Sequence, residues 1–286
     1  MAEYKGIHGT KIQNYTTDPD NPITGQVWYN ETSQTMKFQY PTTIAAWSTG
    51  GNLNTARFNL GGAGTQTAGL AFGGGTFPPS VPKSETESYD GTSWTEVNDL
   101  NEAKRELGGT GTQTSALAFG GNQDGPPTDS IFTESWNGTN WTEVNDMNTA
   151  RQQMGDAGAD NTSALAYGGA AFPTMYANTE SWNGTNWTEV NNLNTGRSNA
   201  GGSGTATAAL CFGGSPIPPS GAITESWNGV SWVEVADLNL ARYALAGAGD
   251  TSAALAFGGD GSPPGSTLAN TEEWNSPSNT VKTLTD

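Results

Sequence analysis

Residues 133–151 read TESWNGTNWTEVNDMNTAR. Two short runs rich in aromatic and β-branched residues flank Asn-Gly, a dipeptide that commonly turns one strand back along the next. The stretch decides the fold because it recurs. Trp47, Trp94, Trp141, Trp187 and Trp232 follow one another at 47, 47, 46 and 45 residues. Six residues after each stands Leu53, Leu100, Met147, Leu193 or Leu238, always followed by Asn. Three residues beyond that Asn comes Arg57, Lys104, Arg151, Arg197 or Arg242. Upstream, Thr-Glu-Ser-aromatic begins at Thr86, Thr133, Thr179 and Thr224, with Thr-Glu-Glu-Trp at Thr271. A third anchor, of the type LAFGG, ends at Gly74, Gly121, Gly169, Gly214 and Gly259. Three anchors in fixed order, five times over, define a repeat.

Each copy reads as four short strands. The first is rich in Gly and Ala ("NLGGAGT", "ELGGTGT"), and the second is apolar and closed by a Gly pair that permits a positive-φ turn. The third is "TESYD" or "TESWN" and the fourth "WTEV". No segment carries a 3.6-residue apolar period, so little helix is expected. A four-stranded unit of this length is one blade of a β-propeller, and the expectation is an all-β, five-bladed ring over residues 41–286. Crowding near the axis explains the small residues of the first strands. Phe72, Phe119, Tyr167, Phe212, Phe257 and the repeat tryptophans are expected between blades. The fifth copy supplies three strands, and its fourth is either "NTVKTLTD" at the C-terminal end or the orphan "IAAWSTGG". Trp47 holds the repeat register through Leu53, Asn54 and Arg57, whereas Val281 does not. The strand around Trp47 is therefore expected to close the ring and cover its edge.

Composition narrows function. Gly and Pro together make 54 of 286 residues, and the formal net charge is −17 with eleven Lys and Arg. Such an acidic chain is a poor partner for nucleic acid or anionic lipid. One cysteine, Cys211, excludes an intrachain disulfide, and it occupies a position where the other copies carry Ala71, Ala118, Ala166 and Ala256. No apolar run is long enough to cross a membrane as a helix, and Met1 to Gln13 has no signal-peptide pattern. Folding in a cytoplasm is expected.

The Gly pair, the aromatic before the Trp and the Leu-x-x-Ala-Arg ending resemble the kelch family over roughly Ala45 to Asp286. That resemblance implies a propeller and leaves function open, since the fold hosts enzymes and scaffolds alike. Kelch-fold copper oxidases need histidines, and His8 is the single one here. No metal or other cofactor is expected, and Ser-His-Asp and Cys-His nucleophile systems fall with the same count. "SYDGTSW" at Ser88–Trp94 is similar to the Asp box of sialidases, one residue short in its spacing, and that box is a structural hairpin even there. A glycosidase needs two carboxylates that break the repeat and converge. Glu87, Glu134, Glu180, Glu225 and Glu272 follow the repeat and read as scaffold. Arg57, Arg151, Arg197 and Arg242 read as turn braces beside the blade anchors Trp47, Trp94, Trp141, Trp187 and Trp232. Asp18 and Asp20 are too few carboxylates for a Ca²⁺ site.

Residues 1–40 lack the repeat. "TTDPDNPITGQVWYNETSQTMKFQY" resembles segments of tailed-bacteriophage virion proteins, especially fibres and appendages, and reads as a hairpin of Gln26–Tyr29 and Thr35–Phe38. The resemblance implies an anchoring or oligomerising segment that binds other virion proteins or a second copy. Between the second and third strand of every copy lies a loop of unrepeated sequence. These loops present Phe77, Asp124, Phe172, Met175, Tyr176 and Ile217, and divergent loops on a rigid frame are the usual design of a binding face. The expected function is non-enzymatic: a virion fibre or appendage head, adhesin, or capsid or tail decoration, with a host-surface glycan or protein on the loop face. A sialidase-like glycan enzyme and a bacterial kelch-like interaction protein are the alternatives.

Overall fold

Every regular element among the described residues is a β-strand. The computed structural model describes residues 12–19, 26–38, 49–124, 128–216, 221–261 and 266–276. The chain divides into two compact units, Met1–Thr49 and Gly50–Asp286.

In the larger unit each repeat folds into its own antiparallel sheet, with strands hydrogen-bonded in chain order. Sheet one comprises Gly61–Thr65, Ala68–Phe72, Thr86–Tyr89 and Trp94–Glu96. Sheet two comprises Gly108–Thr112, Ser115–Phe119, Thr133–Trp136 and Trp141–Val144. Sheet three comprises Gly155–Asp160, Ser163–Tyr167, Thr179–Trp182 and Trp187–Val190. Sheet four comprises Gly201–Thr205, Ala208–Phe212, Thr224–Trp227 and Trp232–Glu234. Sheet five has three described strands, Ala246–Gly249, Ala253–Phe257 and Thr271–Asn275. Trp47 and Val281, at the centre of the two sequences proposed for its fourth strand, lie outside the described residues.

The Asn-Gly connection is longer than a two-residue primed turn. Trp136 pairs with Trp141, which leaves residues 137–140 between them. The Asn137 side chain explains this: its Oδ1 accepts the N–H groups of Thr139 and Asn140, and Gly138 takes φ 91°. An Asx turn of this kind is local side-chain chemistry that replaces the backbone turn. Asp90, Asn183 and Asn228 repeat it.

Successive sheets stack face to face, with their first strands side by side from sheet one to sheet five. Leu70 and Phe72 of sheet one pack on Ala116, Ala118, Trp136 and Trp141 of sheet two. Leu117 and Phe119 meet sheet three in the same way, and Leu165 and Tyr167 meet sheet four. The first-strand glycines make room for these rings. A Cβ on Gly108 would lie 2.2 Å from the Phe119 ring of its own sheet, and one on Gly109 would lie 2.7 Å from Phe72. Aromatic rings packed against the first strands therefore demand the small residues. In sheet five the pattern breaks: Leu255 is 40% and Phe257 39% exposed, while their counterparts in the other four sheets are 0–3% exposed.

In the smaller unit Val27–Asn30 and Thr35–Phe38 form the expected hairpin. Gln13–Tyr15 adds a parallel third strand against Val27–Asn30, a pairing that the polar composition of the segment does not announce. The Asp18 carboxylate accepts from Trp28 Nε1, Asn30 Nδ2 and Lys37 Nζ. Those bonds, with Lys37 foremost, lower its pKa to about 2, and through them Asp18 ties the strands of this sheet together.

Candidate binding face

The loop between second and third strand leaves the same end of every repeat sheet, and so does the linker that carries the repeat Arg or Lys. Linker and loop meet in a bridge at each copy: Phe58 with Gly75, Arg105 with Asn122, Gln152 with Ala170, Ser198 with Ser215, Tyr243 with Asp260. A small ribbon continues outward from two of these bridges. In loop one Gly75–Thr76 pairs with Val81–Pro82, and in loop three Ala170–Ala171 pairs with Thr174–Met175. Phe77 sits at the first tip, 77% exposed, and Phe172 at the second, 56% exposed. Asp124 is exposed, Met175 and Tyr176 are half-buried, and Ile217 lies outside the described residues. A shallow cleft of about 550 Å³ separates loops two and three, bounded by Asp129, Asn148, Ala171 and Tyr176 among others. Burial raises the Asp129 carboxyl above its usual range, against the bond it accepts from Gln152.

Beneath the loops the sequence-selected glutamates and basic residues form one clasp, repeated. Arg57 Nη2 donates to Glu87 at 2.9 Å, and its Nη1 donates to Gly73 O and Glu85 O, the two stems of loop one. The Asn54 N–H and side-chain amide both donate to the same carboxylate. Burial alone would raise the Glu87 pKa, but these bonds outweigh it and hold the group below its ordinary value. Arg151 with Glu180, Arg242 with Glu272 and Lys104 with Glu134 repeat the pair with the cation fully buried. Arg197 instead turns towards Cys211, donating to its sulfur at 3.2–3.3 Å while staying 3.1 Å from Glu225.

Trp141, Trp187 and Trp232 are buried between sheets. Each indole donates to the Thr that opens the third strand of the preceding sheet: Thr86, Thr133 and Thr179, at 2.9–3.0 Å. Each also meets the preceding sheet's aromatic edge-on, with centroids 4.8–4.9 Å apart. Trp94 touches Tyr89 of its own sheet. The next indole in the series would meet Thr224 and Phe212. Those residues, with Asn239, Ala254 and Trp274, line a cleft of about 410 Å³ beside the last described strand of sheet five.

Two features escaped the sequence reading. Asn59, Glu106, Gln153, Asn199 and Ala244 each take a positive φ of 51–57° two residues after the repeat cation. They join through the backbone: Glu106 N–H donates to Asn59 O, Gln153 to Glu106, Asn199 to Gln153 and Ala244 to Asn199, at 2.8–3.0 Å. Their constant offset from the cation was the available signal. The other is Asp156, which replaces glycine on the first strand of sheet three. Burial raises its pKa to about 6, against a bond from Gly109 N–H.

Among the described residues no group of three or more His, Cys, Asp or Glu could share a metal ion. No protein-family model matches the sequence, and no curated protein matches it.

Proposed function

We propose that the five repeat sheets are the blades of a kelch-like β-propeller, and that the chain is a non-enzymatic virion component of a tailed bacteriophage. It serves as a fibre or appendage head, a host-surface adhesin, or a capsid or tail decoration. Residues 1–40 join it to other virion proteins or to a second copy, and the strand around Trp47 completes the fifth blade. The observation that carries the binding role is a contrast within each repeat. Clasp residues recur and are buried, while the loops they pin differ in every copy and carry Phe77 and Phe172 into solvent. Exposed aromatics on a rigid stem lose little entropy on binding, which is what a recognition surface needs. The virion role is supported by the sequence resemblance of the N-terminal segment.

Mass spectrometry of purified particles tests the location, and the chain is expected among the structural proteins. Deleting residues 1–40 should leave a cooperatively melting domain that no longer enters particles. If the shortened chain is still incorporated, the anchor lies on the repeat unit. For the loop face, Phe77→Ala with Phe172→Ala should abolish competition by the free protein for adsorption to host cells. Unchanged competition would remove the adhesin role.

A further inference from the structure

In each linker, the residue after the repeat cation bridges the backbone of the neighbouring loop in the same way. Its side chain nevertheless differs in all five copies: Phe58, Arg105, Gln152, Ser198 and Tyr243. A shared backbone geometry with an unshared side chain means that the fold leaves this position available for recognition. In copy three the position holds loop two. Gln152 is buried, and its Nε2 donates to Asp129 Oδ1 at 2.8 Å. Asp129 also bridges Asn122 through the backbone, so the carboxylate is fixed from two sides. Its Oδ2 has no partner among the described residues.

Asp129 lines the cleft of about 550 Å³ between loops two and three, together with Thr128, Asn148, Thr149 and Tyr176. The clasp fixes a second part of this lining. The Asn148 N–H and Nδ2 and the Thr149 N–H all donate to Glu180. That leaves Asn148 Oδ1 and the Thr149 hydroxyl without partners among the described residues. Tyr176 is pinned by its backbone, its N–H donating to Gly169 O and its carbonyl accepting from Arg197 N–H. Its ring is half-buried, and its hydroxyl is unpaired among the described residues. The unpaired polar groups of the lining are thus all oxygens, and none of the lining residues is basic. Phe172 stands exposed next to Ala171, another lining residue.

We propose that this cleft binds an uncharged sugar, a neutral mono- or disaccharide unit of a surface glycan. Sugar hydroxyls donate to Asp129 Oδ2 and Asn148 Oδ1, and both donate to and accept from the Thr149 and Tyr176 hydroxyls. The C–H face of a pyranose ring lies on the Tyr176 ring, whose faces carry negative charge density. A cleft of this volume with a few fixed polar groups is the usual form of a small-ligand site. Carboxylated and phosphorylated sugars are disfavoured: Asp129 stands in the lining, no basic residue offsets it, and the chain carries a net charge of −17. A lysine side chain of a protein partner needs acceptors alone and leaves the hydroxyl donors unanswered. The proposal rests on the reading of the loop face as a recognition surface and adds the class of ligand.

Saturation-transfer difference NMR on the full chain tests it. The neutral probes are the methyl glycosides of glucose, galactose, mannose, N-acetylglucosamine and rhamnose. The charged probes are N-acetylneuraminic acid, glucuronic acid and Nα-acetyl-lysine amide. The expected result is saturation of the ring C–H protons of at least one neutral glycoside and of no charged probe. Affinity for that glycoside should fall about tenfold in Asp129→Asn, which exchanges a charged acceptor for a donor. Tyr176→Ala should abolish the signal, while Val233→Thr, at an exposed site on the outer strand of sheet four, should leave it unchanged. Asp129→Asn keeps the side-chain volume, so it remains decisive if Tyr176→Ala fails to fold. Binding of no neutral glycoside, binding untouched by Asp129→Asn, or equal or stronger binding of a charged probe would overturn the proposal. The loop-face reading is judged separately, by the adsorption assay. A chain that competes through Phe77 and Phe172 yet binds no neutral glycoside keeps that reading and loses this one.

Discussion

Asp156 stands where the other first strands have glycine, and its carboxyl titrates near 6 because burial penalises the charged form. A folded-state pKa above the unfolded value of 3.8 favours folding fully below pH 3.8, and that contribution disappears as pH rises through about 6. The parent should therefore lose stability relative to Asp156→Asn between pH 4 and pH 7.5. Raising a carboxyl from 3.8 to about 6 is worth about 3 kcal/mol. The side chain is half-buried, so solvent screening trims the expected gap to about 1–2 kcal/mol. Urea melts of both proteins at the two pH values measure it, and parallel curves would place Asp156 in solvent. Lys104 is the second test at this scale. Its ammonium, held below its usual pKa by burial, bonds Phe132 O at 3.3 Å and pairs with Glu134. Arg57 and Arg242 each reach both loop stems. Lys104→Arg should gain the missing stem contact and about 1 kcal/mol, read as a raised melting temperature.

At the scale of the element, Trp141→Ala should cost about 3–5 kcal/mol in denaturant melts. The indole fills the space between sheets one and two, and its removal also strips Thr86 of its donor. A change below about 1 kcal/mol would mean that the space refills. Strand identity was readable because aromatic and apolar anchors recur in register, and the third–fourth strand hairpin follows from Asn-Gly. Its length was not readable, because Asn137 caps the turn with its own side chain. Glutamates such as Glu180 could be assigned to the scaffold from their spacing. That each is closed by a buried cation and an Asn from the linker depends on tertiary geometry, which no local pattern encodes. The parallel strand Gln13–Tyr15 stayed hidden for the same reason, since its three residues carry no apolar alternation.

For the whole molecule, the cleft at the edge of sheet five sets the next test. Its walls present a threonine hydroxyl and an aromatic edge, the pair that receives an indole elsewhere. If the strand around Trp47 completes that sheet, Trp47→Ala should cost about as much as Trp141→Ala, roughly 3–5 kcal/mol. Val281→Ala should then be close to neutral. The reverse ranking by chemical denaturation would assign the edge to the C-terminal sequence.

The guanidinium of Arg57 grips both ends of loop one, at Gly73 and Glu85, from inside the protein. Arg242 grips Gly258 and Asn270 in the same manner. What lies between two such points is spared the task of holding itself in place. Loops one and five should therefore tolerate exchange as cassettes without renegotiating the frame. A lineage under pressure to change what it recognises would gain from that separation, and so would a designer choosing where to graft.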